Sequence, residues 1–338
     1  MNTERKEPSQ HSDEPGVRER VSGLYNCLVA LAADMPKKIA SGESIGLKVA
    51  KRYIQYLVDM IIDGEPVLVG MALSKSRYAY EDRHPVNVCI LSVALGHKIG
   101  FSKKELAELG LVAFLSDTGK YFVPKEVLNR EGVYDENDWC EMKRHTAQGF
   151  KAVFRIKNMD ENLMRAAIVS FEHHLRWDLS GYPPVSHIPE QDFYTRIVAI
   201  AEFYDGLTAS RSYAEGHRSP DIAVKSLLSK AGGEFDPVLV RQFASMMGAY
   251  PVGSVVMLDT GELGIAVEPH DVFFKRPRVL LLSDGQGKSV KPSITSLSKR
   301  DGYGRYLRTV KKTLDPNKYR IDYASFFYRS PKRSDDVS

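Results

Sequence analysis

A chain of 338 residues that is 43% hydrophobic and 27% charged has ample apolar sequence for more than one buried core, which excludes an intrinsically disordered protein. Its formal charge of +4 suits a phosphate-bearing small ligand and is too weak to specify a DNA-binding surface. Cys27, Cys89 and Cys140 are scattered and show no CxxC spacing, which argues against a disulfide framework or a zinc ribbon and predicts a reducing, cytoplasmic setting.

Residues 1–18 are charged, lack the apolar stretch of a signal peptide, and are expected to form a disordered, solvated tail. From Val21 to Ile62 apolar residues recur at helical spacing in two segments parted by SGESIG. Residues 19–75 are therefore expected to be a helical lead-in that packs on the main domain. Residues 76–250 read as almost wholly helical. VNVCILSVALGHKIG carries an apolar stripe and closes on Gly100, and Ser102 with Glu105 makes a capping box that opens SKKELAELGLVAFL. Further helices are expected from Asp135 through EMKRHTAQGFKAVF, over ENLMRAAIVSFEHH, over DFYTRIVAIAEFYDGL, and in IAVKSLLSK and PVLVRQFASMM. After Pro251 the pattern changes: GSVVMLD, GIAVE and RVLLL, parted by DTGE and SDGQG, predict a small β-module over 251–300, followed by a basic tail over 301–338. No apolar run approaches the roughly 18 residues that span a bilayer. The expected class is mainly α.

His84, His145, His173 and His174 all fall on or at the ends of these helices, with Asp117 after the capped helix and Glu202 and Asp205 late in another. Imidazoles and carboxylates drawn from several helices are a common way to hold one or two divalent metals, and a carboxylate such as Asp117 can bridge two of them. On spacing alone each residue also has a plainer reading. His145 suits an ordinary hydrogen-bonded histidine, Lys120 a cation near a helix C-terminus, Arg211 a partner for Asp205, and Gly181-Tyr182-Pro183 a turn with a packed ring. The tandem His173–His174 is harder to dismiss, because adjacent helical residues point about 100° apart and cannot share one packing face.

Taken in order, FLSDTGKYFVPKEVLNREG, WCEMKRHTAQG, HHLRWDLSGYPP and TRIVAIAEFYDGLTASRSY resemble the motif series of HD-GYP domains, a branch of the HD phosphohydrolase superfamily that cleaves cyclic di-GMP. The resemblance runs from about residue 76 to 248, and the segment after Pro251 is similar to a β-module often appended to such domains. It implies an HD-type helical bundle and a metal-dependent phosphodiesterase that converts cyclic di-GMP to the linear dinucleotide, GMP or both. Position by position, it makes His84, Asp117, His145, His173, His174 and Glu202 ligands of one or two divalent ions, iron or manganese. Asp117 and Lys120 become catalytic, and Lys120, Arg211 and Tyr182 substrate-binding. A diguanylate cyclase or other signalling protein at the GYP loop, and a homodimer, are implied as partners.

The chain departs from the family pattern at several positions. Ser116 stands in place of the His of the His-Asp pair, and a neutral hydroxyl is a poorer ligand than imidazole. Glu202 replaces an Asp, Ala214 a basic residue and Leu179 a glycine, and Tyr80 stands where some members have an acid. The alternative expectation is therefore a domain that binds cyclic di-GMP, or a protein partner, without turnover.

Overall fold

The computed structural model describes residues 16–41, 46–64, 66–73, 78–130, 132–186, 190–208, 219–270 and 272–314. The expected tail over 1–18 lies almost wholly outside these residues, as do Arg211, Ala214 and residues 315–338. Within them the chain runs α1 (Val17–Ser41), α2 (Leu47–Ile62), α3 (Pro66–Leu73), α4 (Tyr80–Lys98), α5 (Lys103–Leu115), a 3₁₀ turn (Thr118–Phe122), α6 (Lys125–Leu128), α7 (Glu136–Phe154), α8 (Glu161–Glu172), α9 (Phe193–Thr208), α10 (Pro220–Ser229) and α11 (Pro237–Met247). Five strands follow: β1 (Val255–Leu258), β2 (Leu263–Glu268), β3 (Arg278–Ser283), β4 (Ser289–Ser296) and β5 (Val310–Leu314). The protein is mainly α with a small C-terminal sheet.

Every residue of α4 from Arg83 to Gly96 is buried. A helix with no solvated stripe has to lie at the centre of a bundle, and α4 packs against α1, α2, α3, α5, α9 and α11. Helix starts are set by side chains that take up otherwise unpaired backbone N–H groups. Ser102 and Glu105 form the expected box at α5, Asp135 and Asp138 form another at α7, and Asp160 and Asp236 cap α8 and α11. The two lead-in segments are α1 and α2, and α1 lays Tyr25, Leu28 and Ala32 into the main core. No helix among the described residues is long and apolar enough to cross a membrane.

The sheet is antiparallel, in the order β4-β3-β2-β1-β5. Successive strand residues face opposite sides: Val255, Ile265 and Leu314 join the helical core, while Val256, Leu258, Val279, Leu281 and Leu297 form a smaller core of their own. Pro292 lies in β4, an edge strand, where a missing N–H costs least. The stretch read as a basic tail from residue 301 instead supplies β5, paired to β1. Its sequence VKKTL hides the signal, because at an edge only Leu314 is fully buried and the lysines face water.

Candidate metal centre

Helix α5 ends at Leu115 with Ser116 as its C-cap, and the 3₁₀ turn that begins at Thr118 leaves Asp117 projecting from the junction. This junction is pressed directly onto α7. A Cβ on Gly119 would lie 1.8 Å from the His145 carbonyl oxygen, and one on Gly149 would lie 2.1 Å from Ser170 Oγ, so neither position has room for a side chain. Ser170 Oγ donates to the Ser116 carbonyl at 2.7 Å, tying the same junction to α8. The close approach brings Asp117 beside histidines that follow it by 28 residues or more.

His145 comes from α7, His173 is the C-cap of α8, and His174 follows it. Their ring nitrogens lie within 4.8 Å of one another. His145 Nδ1 sits 2.6 Å from the Met142 carbonyl oxygen and His173 Nδ1 sits 3.1 Å from that of Val169. A carbonyl only accepts, so the network assigns the proton of each ring to Nδ1. The two Nε2 lone pairs then face each other across 3.1 Å. They also lie 3.6 and 3.5 Å from Asp117 Oδ1, a buried oxygen with no hydrogen-bond partner among the described residues. Burial pushes the His145 pKa down to about 4 against the pull of Asp117. His174 is held well below the usual range by burial and by His173 and His145. His173 loses to burial but gains more from Glu202 and Asp117, so its pKa rises.

The GYP segment backs this group. Tyr182 N–H donates to the His174 carbonyl at 3.2 Å, and the two rings stack with centroids 4.6 Å apart. Gly181, at φ +97°, passes so close that a Cβ would lie 2.4 Å from the same carbonyl. Leu179 adopts φ 64°, the left-handed region in which a glycine would be unstrained, so the backbone keeps the shape that the expected glycine would give.

A second group combines His84, Asp117 and Glu202, all buried and within 4.8 Å. His84 Nε2 lies 2.9 Å from Asp117 Oδ2 and 3.6 Å from Glu202 Oε2, yet makes no aligned hydrogen bond among the described residues. Lys120 Nζ donates to Asp117 Oδ2. Burial raises the Asp117 pKa, but Lys120, His173 and His84 outweigh it and hold the carboxyl well below the carboxylate range. Glu202 is likewise lowered: burial and Asp117 oppose its charge, and His173 and Lys120 restore it. Burial disfavours the Lys120 ammonium, and Asp117 and Glu202 more than compensate, so its pKa rises. For His84, burial lowers the pKa, while the neighbouring Tyr80, Asp117 and Asp205 raise it well above the usual value. Ser116 Oγ lies 2.9 Å from the Ala113 carbonyl and 3.0 Å from Glu202 Oε1. Its single proton is thus spent on a helix carbonyl or on holding Glu202.

Sequence reasoning places these six metal-site residues in one picture, and they do converge, with one oxygen of Asp117 facing each group. The residues fit divalent ions: buried lone pairs aimed at one another repel unless a cation lies between them, and imidazole with carboxylate is a transition-metal donor set. Lys120 and Tyr182 reach a cleft of about 440 Å³ that also takes in Tyr80, Arg176 and Glu234. Asn87 was not read as a site residue, and Asp205 was noted beside Glu202 but given no role as a ligand or in holding one. Asp205 Oδ2 contacts His84 Nδ1 at 2.6 Å and Asn87 Nδ2 donates to Asp205 Oδ1 at 2.8 Å. The available signal was Asp205 three residues after Glu202, hence on the same face of α9.

Residues 56–239, more than half of the 338-residue chain, match the family model described as HD domain. The chain belongs to the HD domain family. HD domain phosphohydrolases bind divalent metals, and this HD domain brings together two groups of suitable ligands. It is 27% identical over 259 residues to a cyclic di-GMP phosphodiesterase, PA4108, of Pseudomonas aeruginosa, covering 77% of this chain and 61% of that one. It is 27% identical over 231 residues to the 3'3'-cGAMP-specific phosphodiesterase 2 of Vibrio cholerae, covering 68% of this chain and 43% of that one. A cyclic di-GMP phosphodiesterase of Thermotoga maritima is 29% identical over 174 residues, covering 52% of this chain and 46% of that one. The chain thus spans about half the length of the curated relatives it matches. In fold, the HD domain is similar to Bd1817, an HDG"Y"P protein from Bdellovibrio bacteriovorus, with a TM-score of 0.54, 18% identity, and coverage of 70% of this chain and 73% of that one.

Proposed function

We propose that the chain is a metal-dependent phosphodiesterase that hydrolyses cyclic di-GMP to the linear dinucleotide, GMP or both in cytoplasmic second-messenger signalling. The observation that carries this reading is the pair of imidazole Nε2 atoms facing each other across 3.1 Å beside the unpartnered Asp117 Oδ1. His145, His173, His174 and Asp117 would hold one divalent ion and His84, Asp117 and Glu202 another, with iron or manganese suited to this mixed nitrogen and oxygen set. Ions bound there would acidify a water and offset the phosphate charge.

The chain's own residues do the rest. Hydrolysis forms an oxygen–phosphorus bond from water, breaks the bond from phosphorus to the 3'-oxygen, and returns a proton to that oxygen. Lys120, whose pKa is raised by Asp117 and Glu202 against burial, stays an ammonium ion and neutralises a phosphate oxygen rather than shuttling protons. Asp117 is too acidic to act as a base and acts as a ligand. Tyr182, whose phenol pKa is raised by burial, keeps its O–H as a donor toward the cleft. Arg211 is proposed as a second phosphate contact, protein partners at the GYP loop and a homodimer as its interactions, and residues 76–250 as the domain concerned. The family resemblance motivates these assignments, and the phosphodiesterase relatives support the reaction class.

The test is turnover of cyclic di-GMP by the purified chain with added Mn²⁺ or Fe²⁺. The expected result is cleavage that is lost in Asp117→Ala. Ser116 motivates the second reading, since it offers no imidazole: tight binding of cyclic di-GMP with no product would replace the enzyme by a receptor.

A further inference from the structure

We infer that Tyr25, Asn87 and Asp205 form a positioning chain that prepares His84 for a divalent ion and thereby ties that ion to helix α1; the inference rests on the metal centre proposed above. The Tyr25 hydroxyl donates to Asn87 Oδ1 at 2.9 Å, Asn87 Nδ2 donates to Asp205 Oδ1 at 2.8 Å, and Asp205 Oδ2 meets His84 Nδ1 at 2.6 Å. All four residues are at most 3% exposed, so water does not substitute for a missing member.

The chain has a direction. A carboxylate only accepts, so Asp205 places the imidazole proton on Nδ1 and leaves the Nε2 lone pair turned toward Asp117 and Glu202. Asn87 supports this orientation of Asp205 only while its NH₂ group faces the carboxylate. A flipped amide would set two acceptors against each other, and the hydroxyl of Tyr25 donating to Oδ1 is what opposes the flip.

A rival stands ready at the same nitrogen. Tyr80 Oη lies 2.9 Å from His84 Nδ1. When Asp205 is in place, Nδ1 carries a proton and does not accept from the Tyr80 hydroxyl. When Asp205 withdraws, the Tyr80 hydroxyl donates to Nδ1, the proton moves to Nε2, and the lone pair needed by a metal is gone. Asp205 and Tyr80 thus define two tautomers of His84, and Tyr25 biases the choice.

The outermost residue of the chain is not part of the matched family region. Tyr25 belongs to α1 (Val17–Ser41), whereas the HD domain match begins at residue 56. Helix α1 also accepts the Tyr121 hydroxyl on the Ala32 carbonyl at 3.2 Å, one residue beyond Lys120. A displacement of α1 therefore reaches the acidic group of the centre from two sides, and the lead-in becomes an input element for metal occupancy.

The experiment titrates metal-free full-length protein with Mn²⁺ by calorimetry, and records its melting temperature, for wild type, Tyr25→Phe, Asn87→Ser, Asp205→Asn and the Tyr25→Phe/Asp205→Asn double variant. Tyr25→Phe removes one oxygen and keeps the buried ring. The expected result is that one of two Mn²⁺ sites weakens about 10-fold in Tyr25→Phe and further in Asp205→Asn, in the range usual for groups that orient a metal-binding histidine. The other site is unchanged, and the double variant is no worse than Asp205→Asn. Asn87→Ser shifts the same site in the same direction. Wild-type affinity in Tyr25→Phe and Asn87→Ser, equal weakening of both sites, or losses that simply add in the double variant would each overturn the chain while leaving the metal centre standing. A wild-type protein that binds no Mn²⁺ overturns the centre itself.

Discussion

The two sides of the centre solve the same problem with different chemistry. On one, three imidazoles, of which His145 and His174 are held neutral by burial and by their neighbours, face a single carboxylate oxygen. On the other, one imidazole is surrounded by Asp117, Glu202 and Asp205, with Lys120 alongside, and Ser116 spends its hydroxyl within the group. The first side is rich in imidazole nitrogen. The second holds a surplus of negative charge that, without metal, is met by protons and by Lys120. The lesson is that Ser116, where the family resemblance leads one to expect a histidine, lies on the side already richest in anions.

Asp117 belongs to both sides, so Asp117→Ala is the largest expected perturbation. It should lower kcat/KM by about 10³-fold, comparable to removing a principal electrostatic group from an active site, and calorimetry should show both ions weakened. Single-side variants sharpen the contrast. His145→Ala should abolish one Mn²⁺ site and spare the other, with the reverse pattern in Glu202→Ala, and two sites lost together in either variant would show that the sides are not separable. A subtler probe is reversal of the departure itself. Because Ser116 lies 3.0 Å from Glu202, an imidazole introduced there competes with the longer carboxylate for the same space. Ser116→His alone is expected to reduce Mn²⁺ affinity about 10-fold through overpacking, and Ser116→His with Glu202→Asp to recover it. Equal affinities in the single and double variants would break the idea that the two positions are matched.

The smallest effect is on stability. The His145 pKa falls from 6.5 unfolded to about 4 folded, so its neutral form supports the fold above pH 6.5, and that support is lost as pH falls toward 4. For metal-free protein the loss is about 1.4 kcal/mol per pH unit in that window. His84 has the opposite sign: its raised pKa gives support that is complete below the unfolded value and fades as pH rises through the folded one. Urea titrations of metal-free His145→Gln should therefore show a flatter acid limb and an unchanged alkaline one.

How much of this was legible depended on how local each signal is. Capping residues such as Ser102 and Asp135 act within a turn, and they marked α5 and α7 correctly. The candidate ligands His84, Asp117, His145, His173, His174 and Glu202 were singled out because they fall in an ordered series of motifs resembling a known family, and the fold brings them together. Asn87 was not, since an asparagine inside VNVCILSVALG reads as an interruption of an apolar stripe, and its meaning comes from Tyr25 and Asp205, which are 62 and 118 residues away. Nothing in the sequence around Tyr25 distinguishes it from the core aromatics of an amphipathic helix. β5 was missed for a different reason, because an edge strand shows its lysines to water and hides its pairing.

The interior strand β1 has a consequence for the architecture as a whole. Val255 is lodged among residues of the bundle while Val256 and Leu258 belong to the sheet's own cluster, so the four-residue strand acts as a rivet through both layers. Cutting the backbone near residue 250 would not release a free-standing module. It would strip apolar cover from the bundle, where β2 packs on α3, and leave the sheet with an interior of five buried side chains, so helices and strands are expected to melt as a single cooperative unit.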